Sequence, residues 1–115
     1  MARYCLLGQV DPTRIDDYRA AHAAVWPELL VALRDAGWRN YSLFLRPDGM
    51  LIGYVESDDL DLAQARVAAT EVNDRWQAEM ARLFVSDGAP DDAWELVDEV
   101  FNLEDQLLAA GESLR

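Results

Sequence analysis

The alternation of polar and apolar positions divides this chain into short segments with two different periods. "RYCLLGQV", residues 3–10, is a brief apolar run stopped by Asp11-Pro12, which predicts a strand. Asp11 can cap a helix whose first position is Pro12, where a missing N–H costs nothing. From there Ile15, Tyr18, His22, Val25, Leu29 and Leu33 recur at spacings of three and four, which is one helical face. Pro27 interrupts that pattern and predicts a kink or a break into two helices near Trp26; Gly37 marks the end. In "WRNYSLFLRPDGMLIGYVE" two apolar or alternating runs flank Pro47-Asp48-Gly49, the chemistry of a tight turn, and predict a β-hairpin.

Residues 60 to about 84 read as helix in two pieces, "DLAQARVAAT" and "EVNDRWQAEMARLF". In the second, Val72, Trp76, Met80 and Phe84 share a face. "SDGAPDD" (86–92) reads as a loop, and "AWELVDEVFNL" (93–103) alternates as a last strand. The resulting order, βαββαβ, is that of the ferredoxin-like α+β fold: a four-stranded antiparallel sheet with helices on one face. Apolar residues on both phases of several strands imply that the other face is covered as well. A second copy of the chain is the simplest cover, so we expect a homodimer with its sheets packed face to face, a dimeric α/β barrel. One domain over residues 1–103 is expected. The tail 104–115, "EDQLLAAGESLR", has few apolar residues and would either dock on a partner or fray.

Composition narrows the partners. Ten basic residues against 22 acidic give a formal net charge of −12 over 115 residues, which repels phosphate backbones and anionic lipid. No nucleic acid and no membrane surface is therefore expected as a partner, whereas a small neutral molecule is compatible. Nothing approaches 18 apolar residues in a row, and no basic-led apolar leader opens the chain, so a cytoplasmic protein is expected. The single cysteine, Cys5, excludes an internal disulfide; its apolar surroundings predict a buried core residue.

The candidate chemistry centres on "DDYRAAHAAVWPEL", residues 16–29, which holds the only histidine. Tyr18 and His22 are i and i+4 on one inward-facing helical face, so their side chains are neighbours. Such a histidine reads either as a hydrogen-bonded structural residue or as a proton-transfer group titrating near neutral pH. A sheet-facing residue such as Tyr41 can join the same pocket. One histidine, with no acidic cluster at ligand spacing, gives no metal site. Trp26, Trp38, Trp76 and Trp94 each read as core or interface; Trp76 stands out because Asp74, Arg75 and Gln77 surround it. An aromatic plane rimmed with polar groups suits a sugar. No glycine-rich phosphate loop and no Gly-x-Ser-x-Gly elbow occurs.

Taken together, "VDPTRIDDYRAAHAAVWPELLVALRDAGWRNYSLFL", "DRWQAEM" and "ELVDEVFNL" resemble the L-rhamnose mutarotase family. The resemblance rests on a Y-x-x-x-H helix, W-P-E-L, an N-Y-S strand start, an R-W helix and a closing E-V-F strand, and runs from about residue 3 to 103. It implies a dimeric ferredoxin-like mutarotase domain that interconverts the α and β anomers of L-rhamnose, or a related 6-deoxy sugar, with no cofactor. It also implies His22 as the proton donor, placed by our reading at the ring oxygen, and Tyr18, Tyr41 and Trp76 as sugar contacts. Gln77 joins them as a substrate-binding residue, standing where the family usually has a second tryptophan. Two other functions fit the same fold: a cofactor-free monooxygenase of the dimeric α/β barrel type, and a non-catalytic small-molecule binding module.

Overall fold

The computed structural model describes residues 1–85 and 90–115. Four strands form one sheet: β1 (Ala2–Gln9), β2 (Arg39–Leu45), β3 (Met50–Ser57) and β4 (Glu95–Val97). Their order is β2-β3-β1-β4, and every neighbouring pair is antiparallel. This is the ferredoxin-like arrangement that the element order predicts. Residues alternate cleanly along β3, with Leu51, Gly53, Val55 and Ser57 buried toward the helices. In β1, Leu6 lies on that same side.

The helical segments differ in detail from the sequence pattern. Asp11 does cap the first one by accepting from the Thr13 N–H at 2.9 Å, but Pro12–Arg14 is a 3₁₀ turn before α1 (Ile15–Ala23) begins. The helix then breaks, and α2 (Pro27–Ala36) starts afresh with Pro27 in its first turn. Gly37 ends it in the left-handed region, φ 108°. The second segment is also two helices: α3 (Leu60–Ala68), capped by Asp59, and α4 (Glu71–Met80), capped by Thr70. Residues Ala81–Leu83 continue as a 3₁₀ turn, and Phe84 bridges back to Val10 beside the sheet.

The helices and the inner sheet face enclose two core clusters. One gathers Val10, Tyr18, Leu29, Leu51, Trp76 and Met80; the other gathers Leu6, Trp38, Val55, Leu60, Ala63 and Val67. Each fully buried aliphatic side chain contributes about 1.5–3 kcal/mol, so these clusters supply most of the drive to fold.

Three expectations are corrected. Only Glu95–Val97 of the final alternating run belongs to the sheet; the chain leaves the ladder there, and Asn102 caps a helix, α5 (Leu103–Ala109). Alternation reports which way side chains point, not whether a neighbouring backbone lies within bonding distance. Of the expected loop at 86–92, residues 86–89 lie outside the described residues, and Pro90–Ala93 form a 3₁₀ turn. Cys5 is half-buried rather than core: it pairs with Tyr54 on the sheet face away from the helices, because Leu6 takes the inward position.

That outer face carries Phe44, Ile52 and Leu7 in one cross-strand row, with Tyr54, Cys5 and Val97 in the next. At its end Arg3 donates to Glu99 (2.9 and 3.1 Å) and to Asp105 (2.5 Å), tying β1 to the C-terminal arm.

Gly49 closes the β2–β3 turn at φ 90°, its carbonyl accepting the Val10 N–H at 2.8 Å. A Cβ there would meet the Val10 carbonyl oxygen. Gly49→Ala is therefore expected to destabilise by more than the ~1–2 kcal/mol of a left-handed L-residue, read as a lowered urea midpoint at unchanged m-value.

Candidate active site

A cavity of about 330 Å³ opens between the sheet and the helices, lined by residues of both core clusters. All five residues singled out in the sequence, Tyr18, His22, Tyr41, Trp76 and Gln77, line it. They come from three elements: α1, β2 and α4.

His22 sits in the last turn of α1. Its Nδ1 lies 3.0 Å from the Tyr18 carbonyl oxygen, an acceptor, so Nδ1 carries the proton and Nε2 is the ring nitrogen left for other partners. The imidazole stacks on the Tyr18 ring at 4.0 Å and 20°, and Trp76 meets its edge at 5.3 Å and 82°. Burial pushes the His22 pKa below its ordinary value, and the carbonyl hydrogen bond opposes that only in part. The ring is therefore neutral at pH 7. Tyr18 is buried beside it, and loss of hydration pushes its phenol well above the usual range. Its hydroxyl stays protonated throughout the physiological range.

Tyr41 owes its position to a bulge. Arg39 pairs with Glu56 and Ser42 with Tyr54, so Asn40 and Tyr41 together oppose Val55. Asn40 takes up the extra residue at φ 45°, a conformation asparagine tolerates better than most side chains, and its amide donates to Glu56 at 2.6 Å. The strand start "NYS" in the sequence carries this signal. The Tyr41 ring then packs against Trp38 at 4.7 Å, and the Trp38 Nε1–H is held by the Ala63 carbonyl at 3.2 Å.

Trp76 is a wall of the cavity and a core residue at once. Trp26 meets its ring at 5.0 Å and 85°. The polar rim foreseen around Trp76 is narrower than expected. Arg75 turns outward to Glu28 at 3.1 Å and lies 5.9 Å over Trp26, because neighbours on a helix are about 100° apart. Gln77 alone of the three enters the cavity. Removing Trp76 altogether would cost about 3–5 kcal/mol by emptying the core, so its effect on chemistry is better probed with phenylalanine.

The sequence reading missed two contributors. Asn73 lines the cavity one turn before Gln77; in the largely polar "EVNDRW" run, its inward aim was visible only as the i−4 position of Gln77. Trp94 also lines it, its ring standing 3.2 Å from where a Gly8 Cβ would be. A side chain at Gly8 would crowd that indole.

The donor set contains no metal cluster: among the described residues no three His, Cys, Asp or Glu side chains converge. What converges is a neutral imidazole, a protonated phenol, aromatic rings and a carboxamide, in a pocket at the small end of ligand sites. Fold and site together define a ferredoxin-like domain with a pocket of aromatic rings and uncharged hydrogen-bonding groups.

The chain belongs to the L-rhamnose mutarotase family, whose sequence model matches residues 3–103. It is 39% identical over 95 residues to the L-rhamnose mutarotase of Burkholderia cenocepacia (strain HI2424), covering 81% of this chain and 89% of that protein. To the L-rhamnose mutarotase of Pectobacterium carotovorum subsp. carotovorum (strain PC1) it is 34% identical over 105 residues, covering 90% and 100%. In fold it is similar to the crystal structure of an L-rhamnose mutarotase from Formosa agariphila, with a TM-score of 0.71, 24% identity and coverage of 90% and 99%. It is also similar in fold to an antibiotic biosynthesis monooxygenase, with a TM-score of 0.58, 23% identity and coverage of 88% and 100%.

The bulge offers a test of how the site is held. Asn40→Gly is expected to leave stability within about 0.5 kcal/mol, whereas Asn40→Val costs about 1–2 kcal/mol through its positive φ. Denaturant titration of both variants distinguishes this backbone effect from loss of the Glu56 hydrogen bond, which the two share.

Proposed function

We propose that this chain is an isomerase that interconverts the α and β anomers of L-rhamnose, or of a related 6-deoxy sugar, through His22. The observation that carries the reading is the His22 imidazole, its Nδ1 held on the Tyr18 carbonyl, at the wall of a monosaccharide-sized cavity in a chain of the L-rhamnose mutarotase family. In this reading the sugar lays a C–H face on Trp76, while Tyr18, Tyr41 and Gln77 contact its hydroxyls.

The proton path follows from the tautomer. With Nδ1–H on the Tyr18 carbonyl, Nε2 takes the proton of the anomeric hydroxyl. As the bond between C1 and the ring oxygen breaks, the imidazolium returns that proton to the ring oxygen. The two oxygens are bonded to the same carbon, so one nitrogen reaches both. Rotation about the C1–C2 bond presents the other face of the aldehyde, and the same steps in reverse close the ring. His22 is thus the donor at the ring oxygen, as the sequence suggests, but only after it has served as acceptor, since burial keeps it neutral at rest. A positioned acid–base of this kind contributes about 10²–10⁴-fold, which suits a reaction that also proceeds unaided in water. The family match favours this reading over a monooxygenase acting on polycyclic phenols.

His22→Ala is expected to lower the anomer exchange rate of L-rhamnose, measured by proton NMR, by about 10²–10⁴-fold while leaving the thermal melt near that of the parent. Retained exchange would place the acid–base elsewhere; a parent protein that binds the sugar without accelerating exchange would mean a binding module. The pH profile has a definite sign: protonation removes the resting acceptor, so the rate falls in acid with a midpoint below 6.5. A rate that rises through that range would make the imidazolium the resting form.

The reading includes a homodimer joined through the outer sheet face and a cytoplasmic setting. No helix among the described residues is long and apolar enough to cross a membrane. The row of Phe44, Ile52 and Leu7 supports the dimer, because a contiguous apolar patch of this kind marks an interaction surface. Ile52→Glu places a charge at the middle of that row and is expected to give a folded monomer by sedimentation; an unchanged dimer would mean that association uses another surface.

A further inference from the structure

The proton path leaves one buried group of α4 unused. Asn73 and Ser57 are the buried polar side chains among the described residues, and Ser57 is occupied in accepting the Asp59 N–H at the start of α3. Asn73 is only 5% exposed, yet it lines the cavity, one helical turn before Gln77 on the same face. Burying a carboxamide there is unfavourable unless its hydrogen bonds are made. The Gln77 Nε2 donates toward the Asn73 Oδ1 at 3.5 Å, a long bond of the kind that tightens when a ligand orders the site.

Much of the surrounding wall is apolar, including Leu29, Leu33, Leu43 and Met80, so few groups can fix the orientation of a polyol. We propose that Asn73 is a positioning residue: it anchors the Gln77 carboxamide so that this amide meets two adjacent hydroxyls of the bound sugar. The inference rests on the mutarotase reading and deepens it. A carboxamide presents an acceptor and donors in one plane, which suits a vicinal diol in which one hydroxyl donates and the other accepts. Glutamine has much rotamer freedom to lose on binding, and a neighbour that holds it beforehand removes part of that loss. Hydroxyls remote from C1 gain no charge during ring opening, so the amide pair holds substrate and transition state alike. Its removal therefore acts on KM and not on kcat.

The experiment is a double-mutant cycle on the full chain, with kcat and KM for L-rhamnose taken from NMR anomer exchange and Kd from tryptophan fluorescence. Asn73→Ala and Gln77→Ala are each expected to raise KM and Kd about tenfold, the effect of one well-placed hydrogen bond, with kcat within about threefold. The double variant is expected to be no worse than either single one, because Asn73 acts through Gln77. Asn73→Asp keeps an acceptor facing the Gln77 amide and is expected to restore most of the lost affinity. The Asn73 backbone N–H, which donates to the Thr70 hydroxyl at 3.3 Å, is untouched by any of these changes.

Should Asn73→Ala prove too unstable to assay, Asn73→Leu, of similar size and without an acceptor, takes its place against Asn73→Asp. Additive effects on KM, a fall in kcat at constant KM, or an aspartate variant as weak as the alanine one would each overturn the role of Asn73. An unchanged KM in Asn73→Ala, with the parent enzyme active, overturns that role alone. A parent protein that neither binds nor exchanges L-rhamnose or other 6-deoxy sugars overturns the mutarotase reading and this inference with it.

Discussion

Pro27 lacks the N–H that a continuing helix would need, and its ring keeps the preceding residue out of the helical region, so Trp26 is extended at φ −52° and ψ 127°. Much of the site follows from that single interruption. It ends α1 one residue after His22, leaving the imidazole at the open end of a helix. It swings the Trp26 indole edge-on to Trp76. It also restarts α2 at an angle from which Glu28 reaches Arg75 on α4. A straight helix through residues 12–36 would carry His22 on a continuous buried stripe, with no wall of aromatic rings beside it.

Two opposing influences meet at His22, and their balance sets the chemistry. A hydrogen bond from Nδ1 to a backbone carbonyl near a helix C-terminus favours the charged ring. Burial against Tyr18 and Trp76 favours the neutral one and prevails. The carbonyl contact then acts mainly as a tautomer selector, directing basicity to Nε2. The same burial keeps Tyr18 a donor, so two adjacent groups have complementary roles at one pH without a formal charge on either.

The fold was legible because its segments speak in clean periods: the hairpin around Pro47-Asp48-Gly49, the strand alternation, and the three-four spacing from Ile15 to Leu33. The site was legible in part for the same reason, since Tyr18 and His22 share a helical face and Tyr41 opens a strand, whereas the bulge that presents Tyr41 was not read from the sequence. What escaped the sequence depends on angles and distances between elements. Arg75 looked like a rim to Trp76 but points to another helix, and Asn73 carried no signal of its own within a polar stretch. The end of β4 is a similar case: "VDEVFNL" alternates, yet the capping chemistry of Asn102, which accepts from the Asp105 N–H at 3.0 Å, overrides it.

The clamp of Arg3 on Glu99 and Asp105 has a mechanical meaning. The pairing of Cys5 with Val97 in antiparallel register puts Arg3 opposite Glu99, so the start of β1 and the exit of β4 lie at the same end of one ladder. Tension applied through the two chain ends would load that ladder one rung at a time, opening it as a zipper, beginning with the guanidinium clamp. The chain is thus soft along the line joining its ends, while the central pairing of β1 with β3, eight residues deep, stands behind as the firmer member.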